Sequence, residues 1–203
     1  MKEGTKVKRK FQITFNAPII LGFTGICFIV MLLNYITGGA SNQVLFMTYR
    51  SPLTSFMTYV RLFTHVLGHA GWEHFIGNMS YILLLGPMLE EKYGSKRIIE
   101  VIAATALVTG IINNIFFWNV ALCGASGVCF AFILLASFTS FKEGEIPLTA
   151  ILVAMIFLGQ QVYEGLVIQD NISNMAHIIG GIVGGRIGFC LNKTPVYNFL
   201  NKK

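Results

Sequence analysis

The stretch VALCGASGVCFAFILLASFTSF, from Val120 to Phe141, is apolar over about the length that carries an α-helix across the hydrocarbon core of a bilayer. Near its start the small residues Cys123-Gly124-Ala125-Ser126-Gly127-Val128 set a hydroxyl inside the run. A serine between Gly124 and Gly127 suits a nucleophile. Bare backbone leaves room for a carbonyl to approach, and an N–H can face a developing oxyanion. The same residues also suit plain packing, because glycine and serine let membrane helices approach closely. The choice between the two depends on whether the chain supplies a base.

Composition bounds the fold first. Of 203 residues, 54% are hydrophobic and only 12% charged, which excludes an ordinary soluble domain. Apolar runs of membrane-crossing length fall at about 17–36, 72–89, 98–117, 120–141, 146–166 and 172–191, so the expected fold is an all-α membrane protein of six transmembrane helices. The longest connection, Thr37 to Gly71, carries Phe46, Tyr49, Phe56 and Tyr59 among polar residues and reads as an interfacial loop between the first two spans. The division is a tail at 1–16, a membrane domain at 17–191 and a second tail at 192–203.

Charge orients the bundle. Lys2, Lys6, Lys8, Arg9, Lys10, Lys92, Lys96, Arg97, Lys142, Arg186, Lys193, Lys202 and Lys203 fall on one side of the six spans, and only Arg50 and Arg61 on the other. Basic residues near membrane ends stay cytoplasmic, so both termini are expected in the cytoplasm, with the plasma membrane as the expected location. The net charge of +6 then reflects topology and contact with anionic lipid, not nucleic-acid binding. Cys27, Cys123, Cys129 and Cys190 lie in apolar segments without metal-ligand spacing and read as small core residues.

Three of the four histidines lie between Arg61 and Asn78. His65 and His69, four apart, could share a helix face as metal ligands, but no acidic or cysteine set accompanies them; structural hydrogen bonding is the expected role, with no metal and no cofactor. His74 and Asn78 are one helical turn apart and both can donate hydrogen bonds, either as glue between helices or to an oxyanion. The fourth histidine, His177, lies in the last run, where a buried ionisable group points to function and needs a partner. In the six-span reading Ser126 and His177 both sit five or six residues below the outer surface, roughly 8–9 Å at 1.5 Å per residue. The pair Gly180 and Gly184 would let the last span approach the fourth closely.

With these residues in hand, the chain resembles a rhomboid intramembrane serine protease. The resemblance rests on His65-x3-His69-x4-His74-x3-Asn78, Gly86-x3-Glu90-x3-Gly94-Ser95, Gly124-Ala125-Ser126-Gly127 and Ala176-His177-x2-Gly180-x3-Gly184. It implies Ser126 as nucleophile and His177 as general base, without a third acidic member. It implies His74, Asn78 and the Ser126 N–H as oxyanion donors, Arg61 as an anchor of the outer loop, and Glu90 as a structural residue of the cytoplasmic turn. It also implies transmembrane proteins as substrates, with the fifth span as a gate and the polar segment Gln160 to Asn174 as a cap. Two positions depart from the family pattern: Val60 stands where a Trp often precedes the Arg, and Phe130 where a Tyr often packs on the catalytic His. An inactive relative that binds membrane clients, or a small transporter, are the competing readings; a transporter needs polar groups across the whole bilayer, whereas these collect in one half. Oligomeric state and the identity of the substrate are not legible.

Overall fold

The computed structural model describes residues 13–117, 119–139, 145–167 and 171–193. The first twelve residues, the last ten, Lys142 and Asp170 lie outside the described residues, and with them most of both expected tails. The chain is all-α: α1 (Pro18–Ile36), α2 (Phe56–Thr64), α3 (Trp72–Tyr93), α4 (Ser95–Phe116), α5 (Ser126–Ser137), α6 (Leu148–Val167) and α7 (Asn171–Lys193), with a single π-helical turn at Asn42–Phe46.

Six of these helices form the bundle, and their ends are fixed by local chemistry. Pro18 starts α1, where a missing N–H costs nothing. The next two donors, Ile19 N and Ile20 N, give their hydrogen bonds to the buried carboxylate of Glu90 at 3.1 and 3.0 Å. Ser95 adds a third bond to that carboxylate at 2.6 Å. One acidic side chain therefore satisfies orphan donors at the start of α1 and ties it to the α3–α4 hairpin. Gly94, at φ 83°, is the whole turn of that hairpin, ending α3 and starting α4. At the same end Lys92 donates to the Thr139 carbonyl, and Asn192 donates to the Tyr93 hydroxyl at 2.9 Å. Lys92, Lys96, Arg97 and Arg186 all belong to this end, and Ser126 begins its helix at the other.

Among the described residues four helices, α1, α4, α6 and α7, are long and apolar enough to cross a membrane. α3 is as long as α4 but carries Glu73, His74, Asn78, Glu90, Glu91 and Lys92, so its mean hydropathy falls. α5 departs most from expectation: in place of a helix over 120–141 it has one of 12 residues that begins at Ser126 itself. Residues 120–125 are not helical. Leu122 exchanges two backbone hydrogen bonds with Thr48, both at 2.9 Å, Gly124 N donates to the His65 carbonyl at 2.9 Å, and Asn113 Nδ2 reaches the Val120 carbonyl at 3.2 Å. Gly124 takes φ +123°, which L side chains rarely adopt, so the helix cannot extend back through it. Irregular backbone at this depth is tolerable because protein groups satisfy it.

α5 is the centre of the molecule. Ala131, Phe132 and Leu135 have no exposed surface, and α5 packs chiefly on α7. The connection between α1 and α3 folds against α4, where α2 lays Leu62 on Gly110. α2 turns Phe56, Tyr59 and Phe63 outward and Thr58 and Arg61 inward, as a helix lying in an interface would. α6 is peripheral and buries far less of its length than α4 or α7.

Candidate active site

Ser126 is the first residue of α5, half-buried, with Gly127 one step further on. The backbone donors at a helix start have no intrahelical acceptor and form its positive end. Ser126 therefore reaches its depth through the looped descent of residues 120–125, not by six residues of helix as the sequence suggested.

α7 comes very close to this point. A Cβ added at Gly180 would lie 2.7 Å from the Gly127 carbonyl carbon and 2.9 Å from its Cα. One added at Gly184 would lie 2.5 Å from the Ala131 Cα. One added at Gly127 would meet the Ala176 carbonyl oxygen at 3.3 Å. The two helices touch backbone to backbone beside Ser126 and beside His177, as the spacing of Gly180 and Gly184 predicts.

His177, half-buried, lies flat on Phe130: the ring centroids are 4.4 Å apart and the planes 3° from parallel. Phe130 is one helical turn after Ser126, so the stacking holds the imidazole beside the start of α5. A phenyl ring is sufficient for this, and the departure from Tyr at this position leaves the contact intact. Phe157 of α6 packs edge-on against the same phenyl ring at 6.1 Å and 80°. The Nδ1 of His177 is 2.6 Å from the Gln161 Oε1, also on α6.

On the other side of Ser126 stand His74 and Asn78. A side chain at Gly124 would put its Cβ 2.6 Å from His74 Cε1, 2.7 Å from His74 Nε2 and 3.6 Å from Asn78 Nδ2. The space above Gly124 is thus a cradle with two nitrogens facing into it. Asn78 is 7% exposed, and its buried Nδ2 has no hydrogen-bond partner among the described residues, an expensive state for an amide donor. The Cys129 thiol holds the rest of Asn78, with Sγ 3.4 Å from its carbonyl oxygen and 3.8 Å from its Oδ1.

His65 and His69 build the floor under this loop. His65 is buried, and burial pushes its pKa down to about 4. Its Nδ1 faces the Arg61 carbonyl at 3.0 Å, which can only accept, and its Nε2 faces the Thr109 hydroxyl at 3.2 Å. A neutral ring therefore donates from Nδ1. His69 is also pushed down to about 4, by burial first and by His74 second. It donates from Nδ1 to the Leu67 carbonyl at 3.1 Å and lies edge-on to the His74 ring at 5.2 Å. Its own carbonyl accepts from Asn42 Nδ2 at 2.9 Å. Among the described residues no group of three or more His, Cys, Asp or Glu could hold a metal ion. Arg61 is buried, lies over the Tyr49 ring at 4.4 Å and donates from Nε to the Met57 carbonyl, an anchoring that needs no Trp at Val60.

The structure gathers His74, Asn78 and Gly124 on one side of the start of α5 and His177 with Phe130 on the other, while Glu90 lies at the opposite end of the bundle. A family model for the rhomboid domain matches residues 57–194. The chain belongs to the rhomboid family. It is similar to Rhomboid-related protein 2 of Mus musculus, at 30% identity over 151 residues, 66% of this chain and 50% of the mouse protein. It is similar along most of its length to Rhomboid protease GlpG of Haemophilus influenzae, at 24% identity over 187 residues, 88% of this chain and 93% of that one. RHOMBOID-like protein 6, mitochondrial, of Arabidopsis thaliana matches at 28% identity over 141 residues, 66% of this chain and 44% of the plant protein. This rhomboid thus spans half or less of the length of the first curated relatives it matches. It is an integral multi-pass membrane protein with a rhomboid-like helical bundle.

Three contributors were not read from the sequence. The sequence places Gln161 in a polar outer loop from Gln160 to Asn174, but α6 continues to Val167 and carries it as a helical residue. Cys129 is the core residue that the sequence indicates, but its contact to Asn78 carries no sequence signal. Thr109 carried no sequence signal beyond being a hydroxyl in an apolar span.

Proposed function

We propose that this rhomboid is an intramembrane serine endopeptidase that hydrolyses peptide bonds in or near transmembrane segments of other membrane proteins. The observation that carries the reading is the Gly124 cradle: His74 Nε2 and the unpartnered Asn78 Nδ2 face the space next to Ser126, where an oxyanion would form.

In this mechanism Ser126 Oγ attacks the scissile carbonyl carbon as its proton passes to His177 Nε2. The carbonyl oxygen becomes an oxyanion that accepts hydrogen bonds from His74, Asn78 and the Ser126 N–H, at the positive end of α5. Collapse breaks the C–N bond, His177 gives its proton to the departing amine, and an acyl-serine remains. Water then attacks the ester carbonyl, giving a proton to His177, which returns it to Ser126 as the acid leaves. No cofactor enters any step. A helical substrate must unwind, since its carbonyls are already hydrogen-bonded, so small and helix-weakening residues favour the cut.

The remaining assignments follow from the same reading. Arg61, His65, His69 and Glu90 support the loop and the bundle, while Gly124, Gly127, Gly180 and Gly184 allow the close approaches. The tails at 1–16 and 192–203 are cytoplasmic, Ser126 opens to the outer face of the plasma membrane, and the bilayer and transmembrane substrates are the partners. α6, the least buried helix, is the one that can move to admit a substrate. The test is cleavage of a panel of single-span proteins co-reconstituted in liposomes: wild type yields two fragments and Ser126→Ala none. Equal cleavage by both proteins removes the assignment, and a folded wild type that cleaves nothing in the panel favours a client-binding relative.

A further inference from the structure

We infer that Gln161 is the positioning residue of the base: it holds His177 in the tautomer that leaves Nε2 free of a proton. The inference rests on the reading of His177 as general base.

Gln161 is 6% exposed on a helix that otherwise buries little. Placing a carboxamide toward the protein in an apolar span is costly unless a partner receives it. That partner is His177, whose Nδ1 is 2.6 Å from the amide Oε1, a short contact for a neutral pair. An amide oxygen can only accept, so Nδ1 carries the hydrogen. A neutral imidazole has one N–H, which leaves the lone pair on Nε2, the nitrogen required to take the serine proton.

The second observation is how the ring is held. Phe130 lies flat beneath it and fixes the plane. Stacking alone leaves the imidazole able to turn within that plane and to exchange tautomers. Gln161 removes that freedom from the edge. Phe157, one helical turn earlier on α6, packs edge-on against the same Phe130 ring and docks α6 beside the imidazole. A triad's acidic member orients the base and also stabilises the imidazolium. A neutral amide does the first and little of the second.

The chemistry separates these roles. Gln161→Met keeps the volume and removes the acceptor. Gln161→Glu keeps an acceptor at the same reach and adds a negative charge, which stabilises the imidazolium and raises the pKa of the base. We expect Gln161→Met to lower kcat by about 10- to 100-fold at unchanged KM, below the roughly 10⁴-fold cost of a wrong tautomer in a full triad. Gln161→Glu should regain most of that activity, with the acid limb of its pH–kcat profile displaced upward by about one unit or more. The imidazole ¹⁵N shifts of His177 should report a protonated Nδ1 in wild type and a tautomer mixture in Gln161→Met. Unchanged kcat in Gln161→Met overturns the inference. So does a Gln161→Glu profile whose acid limb coincides with wild type, which remains decisive where the Met variant does not fold. A wild type that fails to cleave any substrate, with His177 still showing a protonated Nδ1, would count against the protease reading and not against the contact.

Discussion

Substituting Gly180 with alanine adds one methyl group where α7 meets the backbone of α5. Its carbon would stand 2.7 Å from the Gly127 carbonyl carbon and 2.9 Å from the Gly127 Cα. Carbon atoms in favourable contact are roughly 3.5–4.0 Å apart, so α7 and α5 must separate by about an ångström. Both obstructing atoms belong to a backbone, and no side chain can rotate away. Overpacking of this kind costs roughly 1–3 kcal/mol, and an ångström of displacement between His177 and Ser126 can cost about 10²-fold in rate. Two neighbours on the same helix are controls. A Cβ at Gly185 meets Phe138 Cε2 at 3.8 Å and Leu134 Cβ at 4.0 Å, ordinary contacts. One at Gly188 meets Leu135 Cδ1 and Phe138 Cβ at 3.2 Å. We therefore expect Gly180→Ala to be the least active, Gly188→Ala mildly affected and Gly185→Ala close to wild type. The assay is substrate cleavage in liposomes with thermal midpoints of the same preparations. A Gly180→Ala protein as active and as stable as Gly185→Ala would refute the packing argument and with it the route by which α7 delivers His177.

Asn78→Ala and His74→Ala should each lower kcat by about 10²–10³-fold, the usual loss for one oxyanion donor, with thermal midpoints near wild type; a stability loss with unchanged kcat would make them helix glue instead. Glu90→Ala strands the buried Ile20 N–H and the partly buried Ile19 N–H at the start of α1, and at roughly 1–3 kcal/mol for a buried unsatisfied group the thermal midpoint should fall well below that of Glu91→Ala. His65 and His69 stay neutral when folded, down to about pH 4, whereas an unfolded chain binds protons to them from 6.5 downward. Their contribution is therefore complete above pH 6.5 and lost progressively toward pH 4, at up to about 1.4 kcal/mol per pH unit per ring. Chemical unfolding in detergent at pH 7.5, 6 and 5 should give falling stability, and a less steep fall in His65→Asn.

The bundle was legible because a bilayer imposes its length on every crossing helix, and five apolar runs coincide with long helices to within a few residues. The fourth run misled for a physical reason. Val120, Ala121 and Leu122 are as apolar as a helix requires, but hydropathy does not report that Thr48 pairs with the Leu122 backbone and the His65 carbonyl with Gly124 N, or that Gly124 adopts φ +123°. The close packing of Gly180 and Gly184 was readable from spacing because small residues four apart share one helix face. Gln161 was not, because polarity alone cannot separate a helix turned inward from the loop after it. Asn78 was readable as a donor, whereas the thiol of Cys129 that holds it lies far along the chain and carries no pattern.

The most direct test of the account is mass analysis of purified wild type, Ser126→Ala and His177→Ala after incubation with a fluorophosphonate, with peptide mapping of any adduct. The account predicts a single adduct on wild type, located on Ser126, none on Ser126→Ala, and labelling of His177→Ala slowed by orders of magnitude while all three proteins keep the same thermal midpoint. An unlabelled wild type of native stability, or an adduct on any residue other than Ser126, would contradict it.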